Sequence, residues 1–191
     1  MPNHVENDLR ITGSKKELLR FKESAQDNEC LLSANKFIPY PEEFVNLDKK
    51  AKEYDEARAK YEKSLQKNGE SEKEARIKAY MDFPSIKDGY NSGGYDWCVK
   101  NWGTKWGMYE TELIEENLNE DQDEWNNLFY TFQSAWSPPL PVIRKMSELF
   151  PTLEFDLRYF EGGSGFNGMF QMRNGKVLSD KRAEYFGDRG G

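Results

Sequence analysis

Leu128-Phe129-Tyr130-Thr131-Phe132, Ser137-Pro138-Pro139-Leu140-Pro141-Val142-Ile143 and Leu153-Glu154-Phe155-Asp156-Leu157-Arg158-Tyr159 follow one another closely, and their reading decides the fold. The first piece is aromatic and β-branched, the composition of a strand within residues 125–135. In the second, Ser137 is placed to cap a helix whose first turn tolerates prolines. Val142, Ile143, Met146, Leu149 and Phe150 supply that helix with a buried stripe, and Pro151 lies just past its end. The third alternates Leu153, Phe155, Leu157 and Tyr159 against Glu154, Asp156 and Arg158, which predicts a half-buried strand. Strand, helix and strand therefore make one unit.

Downstream, Glu161-Gly162-Gly163-Ser164-Gly165 turns the chain back into a strand over Phe166 to Arg173. These glycines lack the Gly-Lys-Ser/Thr and the strand-then-helix setting of a phosphate loop, so they read as a hairpin turn. Asn174-Gly175 is a tight-hairpin dipeptide, with Lys176-Val177-Leu178 beyond it, and residues 179–191 read as a charged, frayed tail.

Upstream, residues 3–13 place Val5, Leu9 and Ile11 on one face of a first strand that Gly13 ends. Ser14 and Glu17 have the spacing of a capping box, and Leu18, Leu19 and Phe21 give the following helix, to about Gln26, its stripe. Leu31 to Tyr40 is predicted as a second strand, punctuated by Pro39 and Pro41. From Leu47 to Tyr80 the composition shifts to Lys, Glu, Ala and Tyr; Tyr54, Ala57, Tyr61 and Leu65 recur at helical spacing, and Asn68-Gly69 breaks the run before Ser71 opens a second helix. Residues 46–85 thus predict an inserted helical hairpin. Met108 to Leu118 alternates as a further strand before the acidic turn Asn119 to Glu124, which lacks the glycine and terminal glutamate of a calcium-binding EF-hand loop. The element order fits two βαβ-like halves: a single α+β domain over 1–191 of ferredoxin-like type, an antiparallel sheet with helices on one face.

Bulk properties narrow the function. At 191 residues the chain has room for one well-buried domain with an appendage, and 14% aromatic with 32% charged residues suits a compact protein with a polar surface. Residues 1–105 are balanced in charge, so the whole net charge of −7 falls on residues 106–191, the reverse of what gripping duplex DNA by its phosphates requires. No apolar run has membrane-spanning length and the N-terminus lacks a signal peptide, so a cytoplasmic protein is expected. Two cysteines, Cys30 and Cys98, give no disulfide framework or zinc site, and His4 alone leaves almost no room for a histidine metal cluster or triad. No cofactor and no metal are expected.

Gly93 to Trp106 is the least ordinary stretch, packing Tyr95, Trp97, Trp102 and Trp106 beside Asn101, Thr104 and Lys105. Spacing predicts a short helix, Tyr95 to Trp102, stopped by Gly103 and turning into a strand. The plain reading makes the indoles core plugs. The functional one makes them, with Lys36, Lys105 and Trp136, the lining of a pocket for a planar or anionic ligand held by stacking and cation–π contact.

Met1-Pro2-Asn3, the segment Asn35 to Glu43, Tyr95-Asp96-Trp97, Asn101-Trp102-Gly103-Thr104-Lys105-Trp106 and Ala135-Trp136-Ser137-Pro138-Pro139 together resemble the YubB-like ferredoxin-like family of phages, plasmids and their hosts. The resemblance covers most of the chain outside 46–90. It implies the same fold and a mobile-element accessory protein, a kind that often acts on host defence. The expected function is non-enzymatic binding, with a nucleotide-derived immune signal as the ligand. A host defence protein contacted through the acidic stretch 110–124 or the helical arm is the alternative partner. A metal-dependent hydrolase using Asp96 and Glu161 ranks last.

Overall fold

The computed structural model describes residues 3–28, 30–119 and 126–184. Among the described residues six strands form one antiparallel sheet: β1 (His4–Thr12), β2 (Tyr109–Asn117), β3 (Asn127–Ala135), β4 (Glu154–Glu161), β5 (Phe166–Arg173) and β6 (Lys176–Glu184), in the spatial order β2-β3-β1-β4-β5-β6. The helices are α1 (Lys15–Ala25), α2 (Ala34–Phe37), α3 (Glu42–Lys67), α4 (Glu72–Asp82), α5 (Gly94–Asn101) and α6 (Leu140–Leu149). The first four strands carry the ferredoxin-like order: β1 lies between β3 and β4, so each of the two crossovers skips over a neighbour. Strands β5 and β6 extend the sheet by hairpins, and Asn174 and Gly175, both at positive φ (52° and 67°), make the left-handed turn between them.

The chain divides into two compact units, residues 1–39 with 96–191, and Tyr40–Tyr95. In the first unit the sheet has one buried face. Val5, Leu9 and Ile11 of β1 are sealed, as are Leu128 and Tyr130 of β3 and Phe155 and Leu157 of β4, whereas the residues between them are polar or part exposed. Leu18 and Phe21 of α1 and Val142, Ile143 and Met146 of α6 are the helical half of that core. Phe21 is its hub: its ring lies 5.7 Å from Phe37, 5.2 Å from Phe150, 5.7 Å from Phe155 and 6.4 Å from Tyr130.

Tyr130 adds an unsatisfied polar atom to this core. It is 1% exposed and its hydroxyl finds no hydrogen-bond partner among the described residues. Burial, helped by the Glu116 carboxylate, pushes its phenol well above the ordinary tyrosine range. Stability from the neutral phenol is therefore present in full below the unfolded pKa, about 10, and is lost as pH rises beyond it, because only the unfolded chain ionises easily there. Tyr130→Phe is expected to raise stability by about 1 kcal/mol at pH 7 and to flatten the alkaline decline, both read from urea denaturation at several pH values. A destabilised variant would show that the hydroxyl has a partner.

The second unit holds α3 and α4, an antiparallel helical pair turned at Gly69 (φ +94°), where the sequence places a hairpin over 46–85; the helices run from Glu42 to Asp82. Ser71 caps α4 in a true capping box with Glu74. Asp48 of α3 accepts hydrogen bonds from the backbone N–H of Gly89 (2.8 Å) and Tyr90 (3.2 Å), tying the following loop to that helix.

Several local expectations are corrected. Residues 31–40 form no strand; Ala34 and Phe37 are buried at one-turn spacing in α2, while Ser33, Asn35 and Lys36 spoil either alternating face. Ser14 does flank α1 but its side chain makes no cap, and Glu17, the other half of the expected box, turns to Arg20, which donates to it at 2.6 Å and holds its carboxyl below the usual range. Ser137 does not cap α6 either, since its hydroxyl donates to the Gly103 carbonyl; Pro139 precedes the helix and Pro141 occupies its first turn. Residues 179–184 are strand, paired to β5 through Glu184, because the tight turn sets a register that carries on past Leu178. The acidic residues 120–124, Trp125 and the rest of the expected tail, 185–191, lie outside the described residues.

Candidate ligand-binding site

The aromatic stretch splits into two groups. In the first, α5 ends at Asn101, one residue before the expected Trp102, and Gly103 follows at φ +77°, a left-handed stop that glycine adopts without strain. Trp102 is buried, 7% exposed, donating its indole N–H to the Ile38 carbonyl at 2.8 Å and standing edge-on to Trp97 at 5.3 Å. Asn101 donates its amide to the Trp97 carbonyl at 2.8 Å. Trp102 is thus a core plug and not a ligand wall, while Trp97 and Asn101 beside it stay part exposed.

The second group faces outward. A Cβ on Gly103 would come within 2.7 Å of Pro141 Cδ, so only glycine lets the chain press against the proline corner; Ser137 then takes the Gly103 carbonyl. The backbone N–H of Lys105 donates to Ala135 O at 3.4 Å, and the buried Thr104 hydroxyl donates to the Trp106 carbonyl. Lys105 is thereby fixed between two indoles, its Nζ 4.5 Å from the Trp136 ring and 5.3 Å from the Trp106 ring. Beyond this pinned turn β2 starts at Tyr109, one residue after the expected Met108.

Trp136 is the exposed wall, 48% accessible, with its backbone at φ +70° and its N–H donating to Asn3 O at 3.0 Å. A bulky residue at positive φ costs on the order of 1 kcal/mol and persists only where its surroundings hold it. Tyr109 extends the patch, tilted against Trp106 at 6.2 Å and hydrogen-bonded through its hydroxyl to His4 Nδ1 at 2.6 Å. Burial raises the Tyr109 phenol above its ordinary value, with the Glu110 carboxylate adding to it. Sequence reasoning missed Tyr109, although the lone histidine at a strand start was a usable signal once that strand had a neighbour.

The remaining expected residues lie elsewhere. Thr104 is 2% exposed, with its hydroxyl spent on the Trp106 carbonyl. Lys36 is exposed on α2, and its side chain makes no hydrogen bond or ion pair among the described residues. Tyr95 belongs to the second unit, edge-on to Tyr90 at 5.8 Å. Glu161, named for hydrolysis, is 3% exposed and accepts from the backbone N–H of Gly163 and Ser164, so it closes a turn; Asp96 is exposed on α5. Among the described residues no three His, Cys, Asp or Glu side chains are grouped as metal ligands, both cysteines are free thiols, and no helix is long and apolar enough to cross a membrane. The acidic edge strand spends part of its charge locally: Glu115 pairs with Arg10 at 3.1 Å and Glu116 with Lys22 at 2.6 Å.

Comparison with known proteins agrees with this architecture. No curated protein matches the chain in sequence. A crystal structure of a protein api92 from Yersinia pseudotuberculosis is similar across 98% of this chain and 99% of its own, with a TM-score of 0.51 and 13% identity, a likeness of fold alone. Residues 103–188 match the family model described as the ferredoxin-like domain in Api92-like protein, so the segment from the proline-backed turn through β6 is similar to that domain.

Proposed function

We propose that the chain is a non-enzymatic binder that captures a small planar, anionic ligand of nucleotide type on the Trp106–Lys105–Trp136 patch. The observation that carries this reading is the ammonium of Lys105 held against two indole rings, one of them almost half exposed and on a strained backbone. A base stacks on the open Trp136 face while Lys105 meets phosphate, and Tyr109 with His4 closes the far side. The resemblance to mobile-element proteins supports a role for such capture in the cytoplasm of a host cell, removing a nucleotide-derived immune signal.

Calorimetry with cyclic dinucleotides, cyclic mononucleotides and ADP-ribose tests it. The expected result is saturable binding that quenches tryptophan fluorescence. Trp136→Ala weakens it roughly tenfold to a hundredfold, the worth of one base stacked on an aromatic ring, and Lys105→Met weakens it while abolishing its salt dependence. No heat with any of these nucleotides removes the proposal.

The helical arm favours a second reading. Ile77, Tyr80 and Met81 of α4 are 51%, 44% and 77% exposed, more apolar surface than a solvated arm needs, so a protein partner of the host is the alternative occupant. Deleting residues 46–85 separates the two: nucleotide capture survives the deletion and a protein contact does not.

A further inference from the structure

The sheet's other face carries a cavity of about 300 Å³ lined by Asp8, Arg10, Phe129, Asp156 and Arg158, side chains from three neighbouring strands. Its charges are unevenly satisfied. In the β1–β4 register Asp156 lies opposite Arg10, but Arg10 turns the other way: its Nη1 donates to Asn127 at 2.8 Å and to Glu115 at 3.1 Å, and its guanidinium lies over the Phe129 ring at 4.8 Å. Asp156 is left with Gln171, which donates to Oδ2 at 3.0 Å, while Oδ1 is buried without a partner among the described residues. Two residues along the same strand and on the same face, Arg158 is exposed, and its guanidinium pairs with no carboxylate among the described residues.

A buried carboxylate oxygen without a donor is costly to leave unmet, and the exposed guanidinium in the same cavity offers the complementary charge. One asks for a cationic donor and the other for an anion. The strand rise sets their spacing at about 7 Å. We infer that this face binds a small zwitterion, an ammonium or guanidinium group separated from a carboxylate by a flexible spacer of about three or four carbons. The ammonium donates to Asp156 Oδ1, the carboxylate accepts from Arg158, and the spacer lies over Phe129. Nucleic acid is the poorer fit, since its phosphates bring no cation to offset Asp156 and the Asp8 that lies opposite Arg158. The inference rests on residues distinct from the indole patch and stands or falls independently of it.

Amide chemical shifts of the full-length, isotope-labelled protein, titrated with γ-aminobutyrate, provide the test. Glycine (charges too close), butylamine (cation alone) and butyrate (anion alone) serve as controls. The expected result is saturable movement confined to β1, β3 and β4, with each control weaker by about tenfold or more. Asp156→Asn and Arg158→Gln each cost a similar factor while the rest of the spectrum stays native; Arg158 is exposed, so its variant folds whatever the fate of the other. No saturable movement, equal binding of butylamine or butyrate, or unchanged binding by Arg158→Gln overturns the inference.

Discussion

Phe21→Ala is expected to cost about 3–5 kcal/mol of folding stability, a large share of the roughly 5–15 kcal/mol that holds a typical domain. The ring is inaccessible to solvent and touches four other aromatic rings, contributed by α2, β3, β4 and the residue ending α6. Truncation loses the transfer free energy of the ring and leaves a hole that five rigid elements cannot collapse to fill. Phe21→Leu, which restores most of the volume, should lose only about 1–1.5 kcal/mol. Urea denaturation of the three proteins reads the series; an alanine variant within about 1 kcal/mol of wild type would show that Phe21 is not the hub.

The second large effect is expected at Gly168. A Cβ there would lie 2.2 Å from both Cζ and Oη of Tyr159, its direct partner across the β4–β5 register. Tyr159 has nowhere to go: it is 2% exposed, and Phe166 stands edge-on at 6.1 Å. Gly168→Ala should therefore cost about 1–3 kcal/mol by overpacking, although the backbone itself, not at positive φ, suits alanine well. Combining it with Tyr159→Leu distinguishes this cause from a general intolerance of side chains in β5. The double variant should be clearly more stable than the sum of the single losses implies, a coupling that additive, unrelated damage would not produce.

Both sites show how far the chain can be read without its structure. Alternation in β1 and β4 was visible, β3 showed through its aromatic and β-branched composition, and with them came the α+β class and the helices on one face, because burial on one side of a strand writes itself into every second residue. Pairing was not visible in the same way. Arg10, Phe129 and Asp156 belong to separate strands, so their meeting at one cavity follows from register, which no local pattern encodes. Short apolar runs misled for a related reason: Leu31 to Tyr40 offers too few residues to distinguish a strand from the single turn of α2. In the aromatic stretch, spacing correctly set the α5 stop at Gly103, yet it could not distinguish Trp102, whose N–H is satisfied by Ile38, from Trp136, which is thrust outward by a positive φ. Side-chain burial there depends on a proline corner more than thirty residues away.

The central place of β1 also bears on how the protein is made. Translated well before both its partners, it has neighbours that begin only at Asn127 and Glu154, with the whole Tyr40–Tyr95 unit intervening. While the polypeptide leaves the ribosome, its Val5-Leu9-Ile11 edge must wait uncovered, a long loop-closure that slows collapse and invites chaperone engagement or aggregation until β4 emerges.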